Sequence, residues 1–111
     1  MSKCIFMFMK YIISESRLER LVITYLSSLD FREGYRDSEG FDIMHNGDQA
    51  MSYRRRYERL YISIDLINDM KPLFNLSQRE VMDYVKMWFQ DEYNVEVITL
   101  WLLFPDEPFT Y

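Results

Sequence analysis

Cysteine is nearly absent from this 111-residue chain. With Cys4 alone, neither an intrachain disulfide nor a cysteine cage for zinc can be built. That usage fits a reducing compartment, and a cytoplasmic location is expected. Set in an apolar run, the Cys4 thiol reads as a packing group rather than a nucleophile. Glycine is as scarce, with only Gly34, Gly40 and Gly47, too few to write the phosphate-cradling fingerprints of nucleotide-binding loops. The single histidine, His45, leaves a serine or cysteine hydrolase one possible base. It stands beside Asn46-Gly47, where polar residues are favoured for backbone reasons, and reads as a turn residue. Long hydrophobic runs are missing too. The run from Cys4 to Met9 falls short of the roughly 20 apolar residues of a membrane span, and Lys10 interrupts it. No small-residue cleavage site follows, so it is no secretory signal. No catalytic set, cofactor, metal site or membrane contact is expected.

Aromatic residues and methionine are abundant, with nine Tyr, eight Phe, two Trp and eight Met. Such side chains cover large area and often stay partly exposed where a partner docks; the plainer reading is a Tyr-rich core margin. The net charge of −5 is unevenly distributed: residues 1–56 hold nine basic and eight acidic groups, residues 57–111 four basic and ten acidic. An acidic balance argues against general nucleic-acid binding.

Along the chain, 4–13 suits a buried strand. Ser16 and Glu19 stand in capping-box relation before a helix whose buried face is Leu18, Leu21, Val22, Tyr25, Leu26 and Leu29. Residues 30–40 are polar and read as a loop. The carboxylates of the 30–48 stretch do not follow the spacing of a calcium loop, and Arg32 and Arg36 neutralise their field. A hairpin is expected from Phe41–His45 through Asn46-Gly47 to Ala50–Tyr53, then an alternating strand over 60–67 and a turn at Pro72. Ser77 and Glu80 form a second capping box, stapled by Leu76 and Val81, for a helix carrying Val81, Tyr84, Val85, Trp88 and Phe89. Asn94 closes it, and 95–104 reads as a central strand. The result is one α+β domain over 1–111, with two helices on one face of a mainly antiparallel sheet in the βαββαβ order of ferredoxin-like folds. Residues 105–111 form an extended tail, because Pro105 and Pro108 remove ladder donors.

The concentrated charge feature is Tyr53, Arg54, Arg55, Arg56, Tyr57 and Arg59. Basic residues interleaved with aromatics can hold phosphates and stack bases. The third-strand signature of ferredoxin-like RNA-binding modules is missing, however, since Arg59-Leu-Tyr-Ile-Ser-Ile-Asp65 has no glycine and offers Tyr61 alone for stacking. The patch is therefore assigned to an acidic protein surface or to self-association rather than nucleic acid. In the tail, Phe109 and Tyr111 lie two apart on an extended backbone and are expected to anchor on a partner.

Two stretches, Met9-Lys-Tyr-Ile-Ile-Ser-Glu-Ser-Arg-Leu-Glu-Arg-Leu-Val22 and Leu73-Phe-Asn-Leu-Ser-Gln-Arg-Glu-Val-Met-Asp-Tyr-Val-Lys-Met-Trp-Phe89, resemble small uncharacterised proteins of large tailed bacteriophages. The resemblance implies a virion-associated or accessory component and makes Met9 a candidate start. The expectation is then a non-enzymatic structural or interaction protein, a subunit of a viral assembly. Alternatives are an acidic inhibitor that uses the 57–111 half against a host enzyme or defence protein, and a small nucleic-acid module built on the 53–59 patch.

Overall fold

The computed structural model describes residues 15–104; the expected strand at 4–13 and the tail with Phe109 and Tyr111 lie outside the described residues. Helix α1 (Glu15–Ser28) leads into four consecutive strands, β1 (Arg32–Asp37), β2 (Gly40–His45), β3 (Asp48–Arg54) and β4 (Arg59–Ser63), with a 3-10 turn at Arg55–Tyr57 between the last two. Helices α2 (Ile64–Phe74) and α3 (Gln78–Tyr93) then cross back to β5 (Thr99–Leu103). The sheet order is β1-β2-β3-β4-β5. Every pairing is antiparallel except β4 with β5, where Arg59 stands opposite Thr99 and Ser63 opposite Leu103.

Alternation in the strands sends Phe41, Ile43, Met51, Tyr53, Leu60 and Ile62 to one face, where they form the core with Val22 and Leu26 of α1, Ile67 and Met70 of α2, and Val81, Val85 and Phe89 of α3. Phe89 is the hub. Its ring stacks on Phe41 at 5.7 Å and lies 4.8 Å from Tyr93 and 5.7 Å from Tyr53. Trp88 ties α3 to α1 by donating its indole N–H to Ser27 Oγ at 3.3 Å. Tyr53 reaches past the core to donate its hydroxyl to the Glu96 carbonyl at 2.8 Å.

The Asn46-Gly47 hairpin forms as expected, with positive φ at both residues. So does the capping box of α3: Ser77 Oγ accepts from the Glu80 amide and Glu80 accepts from the Ser77 amide. Asn94 closes α3 in the left-handed conformation, and Asn75 does the same for α2.

Several expectations need correction. Residues 32–37 form a strand rather than a loop; all six are exposed, so no hydrophobic alternation announces it, and it exists because β2 offers a ladder. The strand at 60–67 stops at Ser63, whose hydroxyl accepts from the Asp65 amide and starts α2. Leu66 fits the period of two and also, with Ile67 and Met70, the buried face of α2, which is why the alternation overran. The described residues thus carry three helices rather than two, with Pro72 inside the last turn of α2. Finally, the strand expected over 95–104 is shorter: only Thr99–Leu103 joins the sheet, and among the described residues it stands at the end of the strand order. The four-strand meander with one parallel return does not follow the ferredoxin-like order, in which strands interleave. Ser16 also falls inside α1, which begins at Glu15, not at its cap.

Candidate functional site

At the end of the sheet where β2 begins and β3 finishes, three connections converge. The β1–β2 turn is drawn tight by Asp37, whose carboxylate accepts from the Glu39 and Gly40 amides at 2.9 and 3.1 Å. The Glu39 carbonyl then accepts from the Arg55 amide at 2.8 Å, tying that turn to the 3-10 turn after β3. Glu58, left-handed at φ 46°, closes the 3-10 turn, and its carbonyl accepts from the Ile98 amide at 2.7 Å, so the chain entering β5 is held against the same corner. Gly40 is obligatory here. At φ 154° its Cα lies so close to β3 that a Cβ would come 1.9 Å from the Tyr53 carbonyl oxygen.

This corner splits the basic run by strand alternation. Tyr53 enters the core, while Arg54 and Arg59, opposite each other across β3 and β4, share the face turned away from the helices. Arg54 is buried on that face; its guanidinium lies 3.4 Å from Asp42 Oδ1, which also accepts from Ser52 Oγ at 2.8 Å. Arg55 turns toward the Phe41 ring at 5.9 Å and leaves the group. Arg56, Tyr57 and Arg59 remain with Arg54 around a pocket of about 240 Å³ that Tyr61, Asp37 and Glu39 also line.

Arg59 is the best-held cation of the set. Its guanidinium lies 4.1 Å from the centre of the Trp101 ring and 4.9 Å from that of Tyr57, and Nη1 donates to the Tyr61 hydroxyl at 3.1 Å. Trp101 in turn meets Tyr61 edge to face at 5.9 Å. Held over both rings, the planar guanidinium loses rotamer freedom, while its Nε is buried without a hydrogen-bond partner among the described residues. The arrangement suits a carboxylate or phosphate placed beside the rings.

Sequence reasoning missed Trp101, Tyr61 and Asp42. Tyr61 was legible as the outward partner of Leu60 and Ile62, but Trp101 joins the group only through the parallel register that sets it opposite Tyr61, and no local signal announces that register. Phe109 and Tyr111 of the expected partner surface lie outside the described residues.

His45 closes β2 half-buried, its ring edge-on to Phe31 at 5.5 Å. It borders a second pocket of about 210 Å³ at the opposite end of the sheet, where Tyr25, Asp48, Ser63, Asp65 and Asp69 meet. Asp69 and burial raise the Tyr25 phenol above its ordinary value, burial being the larger cause. The Ser63 hydroxyl there is engaged as the helix cap. No group of three metal-ligating side chains occurs among the described residues, and no helix among them is long and apolar enough to cross a membrane. Comparison with protein families, with curated proteins and with solved structures found no match.

Proposed function

We propose that this chain is a non-enzymatic interaction protein, one component of a larger assembly, which engages an acidic segment of a partner protein at the arginine and aromatic corner. One observation carries the reading: Arg59 is held over the Trp101 and Tyr57 rings and lines a pocket together with Arg54 and Arg56. Arginine and large aromatics are the residues that dominate binding energy at protein interfaces. The net charge of −5 disfavours the long polyanion of a nucleic-acid backbone more than a short acidic segment of a partner protein. The resemblance to small tailed-phage proteins supports a viral setting for the assembly.

A fluorescein-labelled octaglutamate peptide, an octalysine control and single-stranded and duplex oligonucleotides test the reading by anisotropy. The acidic peptide should bind saturably and weaken with salt. The Arg56→Ala/Arg59→Ala double variant should lose about tenfold or more in affinity, one or two charge-assisted contacts being removed. Absence of saturable acidic-peptide binding, or binding indifferent to the double variant, would sink the proposal. Tighter binding of an oligonucleotide than of the peptide would replace it with the nucleic-acid reading.

A further inference from the structure

Among the described residues, the two edges of the sheet are built differently. Strand β1 carries Arg32, Glu33, Arg36 and Asp37, pairs Glu33 with Arg36 at 2.8 Å, and breaks register with β2 between those two residues. Charge and irregularity of this kind discourage another strand from adding to an edge. Strand β5 has neither. From Val97 to Phe104 the sequence is Val-Ile-Thr-Leu-Trp-Leu-Leu-Phe, without a charge, its register with β4 runs unbroken from Thr99 to Leu103, and among the described residues it has no neighbour on its outer side. Ile98, Trp101 and Phe104 are 63%, 48% and 42% exposed. Among the described residues, Arg59 brings a cation to this edge: its guanidinium extends from β4 across to the Trp101 ring.

The geometry points to β5 as the docking strand: an extended segment of a partner protein, acidic at alternate positions and apolar between, adds to the sheet along Thr99–Leu103. The inference rests on the acidic-partner reading above and specifies how that partner is held. Charge complementarity selects the occupant. In an added strand, alternate side chains project to the face that carries Arg59 and Trp101, and carboxylates there meet the guanidinium edge. The intervening side chains project to the helix side, beside the half-buried Leu100 and Leu102 that pack on the core, and apolar groups suit that position. The ladder supplies affinity through backbone hydrogen bonds, and the two faces supply selectivity.

The experiment uses the full chain and three capped peptides: an octapeptide of alternating Glu and Val; the same peptide with proline at its two adjacent central positions and one glutamate added at an end; and an octapeptide of alternating Lys and Val. Adjacent backbone N–H groups point to opposite edges of a strand, so two successive prolines remove a ladder donor whichever way the peptide runs, while the number of carboxylates is kept, and the protein itself needs no alteration that threatens its folding. Affinity is read by calorimetry, and amide exchange by NMR at those amides of Thr99–Leu103 that point away from β4. The Glu/Val peptide should bind, slow exchange at those amides by about tenfold or more, and lose about tenfold in affinity on proline substitution, while the Lys/Val peptide does not bind. Equal affinity for the proline peptide with no protection of β5 would overturn strand addition and leave the acidic-partner reading standing. Binding by none of the acidic peptides would remove both. Slow exchange at the outward β5 amides of the protein alone would also overturn the inference: dependence on protein concentration would identify a second copy as the occupant, and independence a segment of the same chain.

Discussion

Arg59 owes its poise to neighbours far away in sequence. Trp101 supplies the ring face beneath its guanidinium and Tyr61 the hydroxyl that accepts from Nη1, so the side chain is ordered before any partner arrives. Trp101 is half-exposed and lies outside the core cluster. Trp101→Ala should therefore leave the melting temperature nearly unchanged while weakening acidic-peptide binding, and Arg59→Lys should not restore what Arg59→Ala loses, because an ammonium neither stacks flat nor presents a fork of donors. Parallel thermal melts and anisotropy titrations check both. Gly40 behaves oppositely. Any side chain there collides with the β3 backbone, so Gly40→Ala should lower stability by roughly 1–3 kcal/mol in urea unfolding and weaken peptide binding with it, since the β1–β2 turn walls the pocket.

At the scale of elements, α3 is the firmest piece. Its capping box, its Asn94 closure and a face of five buried residues, Val81, Met82, Val85, Trp88 and Phe89, all agree. Phe89→Ala should cost about 3–5 kcal/mol, because the ring is fully buried among Phe41, Tyr53 and Tyr93. Ser77→Ala, which removes one cap from an exposed helix end, should cost only about 0.5–2 kcal/mol. Denaturant curves that rank these two variants in the reverse order would contradict the packing described for α3. The helix caps and the hairpin turn were legible because they are local: Ser77 with Glu80, and Asn46 with Gly47, need nothing but their neighbours. Strand β1 was not legible, because its ladder comes from β2 and its six side chains remain in water.

Over the whole molecule, the aromatic wealth of the described residues lies mostly in or against the core, with Tyr57, Tyr61 and Trp101 at the corner. It also makes the fold sensitive to alkali. Burial raises the phenols of Tyr53 and Tyr93 above the ordinary value near 10, helped at Tyr53 by Glu58 and Glu96 against an opposing pull from Arg55, and at Tyr93 by Glu92 and Glu33. For an acid whose folded value lies above its unfolded one, the unfolded chain ionises first as pH rises. The contribution to stability is thus fully present below about pH 10 and is lost as the pH climbs from the unfolded value through the folded one. The free energy of unfolding should fall steadily above pH 10, and the Tyr53→Phe/Tyr93→Phe double variant, though weakened at neutral pH by loss of the Tyr53 hydrogen bond to Glu96, should show a shallower alkaline decline. Urea midpoints measured from pH 8 to pH 11 decide the point, and equal slopes would contradict it.

What the sequence determined alone was whatever depends on neighbours along the chain: the amphipathic face of α3 and, except for the exposed Leu21, that of α1, the capping chemistry at Ser77 and Asn94, the Asn46-Gly47 turn, and a basic run rich in tyrosine. Tertiary structure decided which of those basic residues act together. A strand sends adjacent side chains to opposite faces, so Tyr53 went to the core and Arg54 to the other side. The left-handed residue Glu58 and the parallel return of β5 then brought Arg59, Tyr61 and Trp101 into one group. Register is set by pairing between distant segments and by the helices that carry the chain from β4 back to β5, and neither is written in the residues of the patch itself.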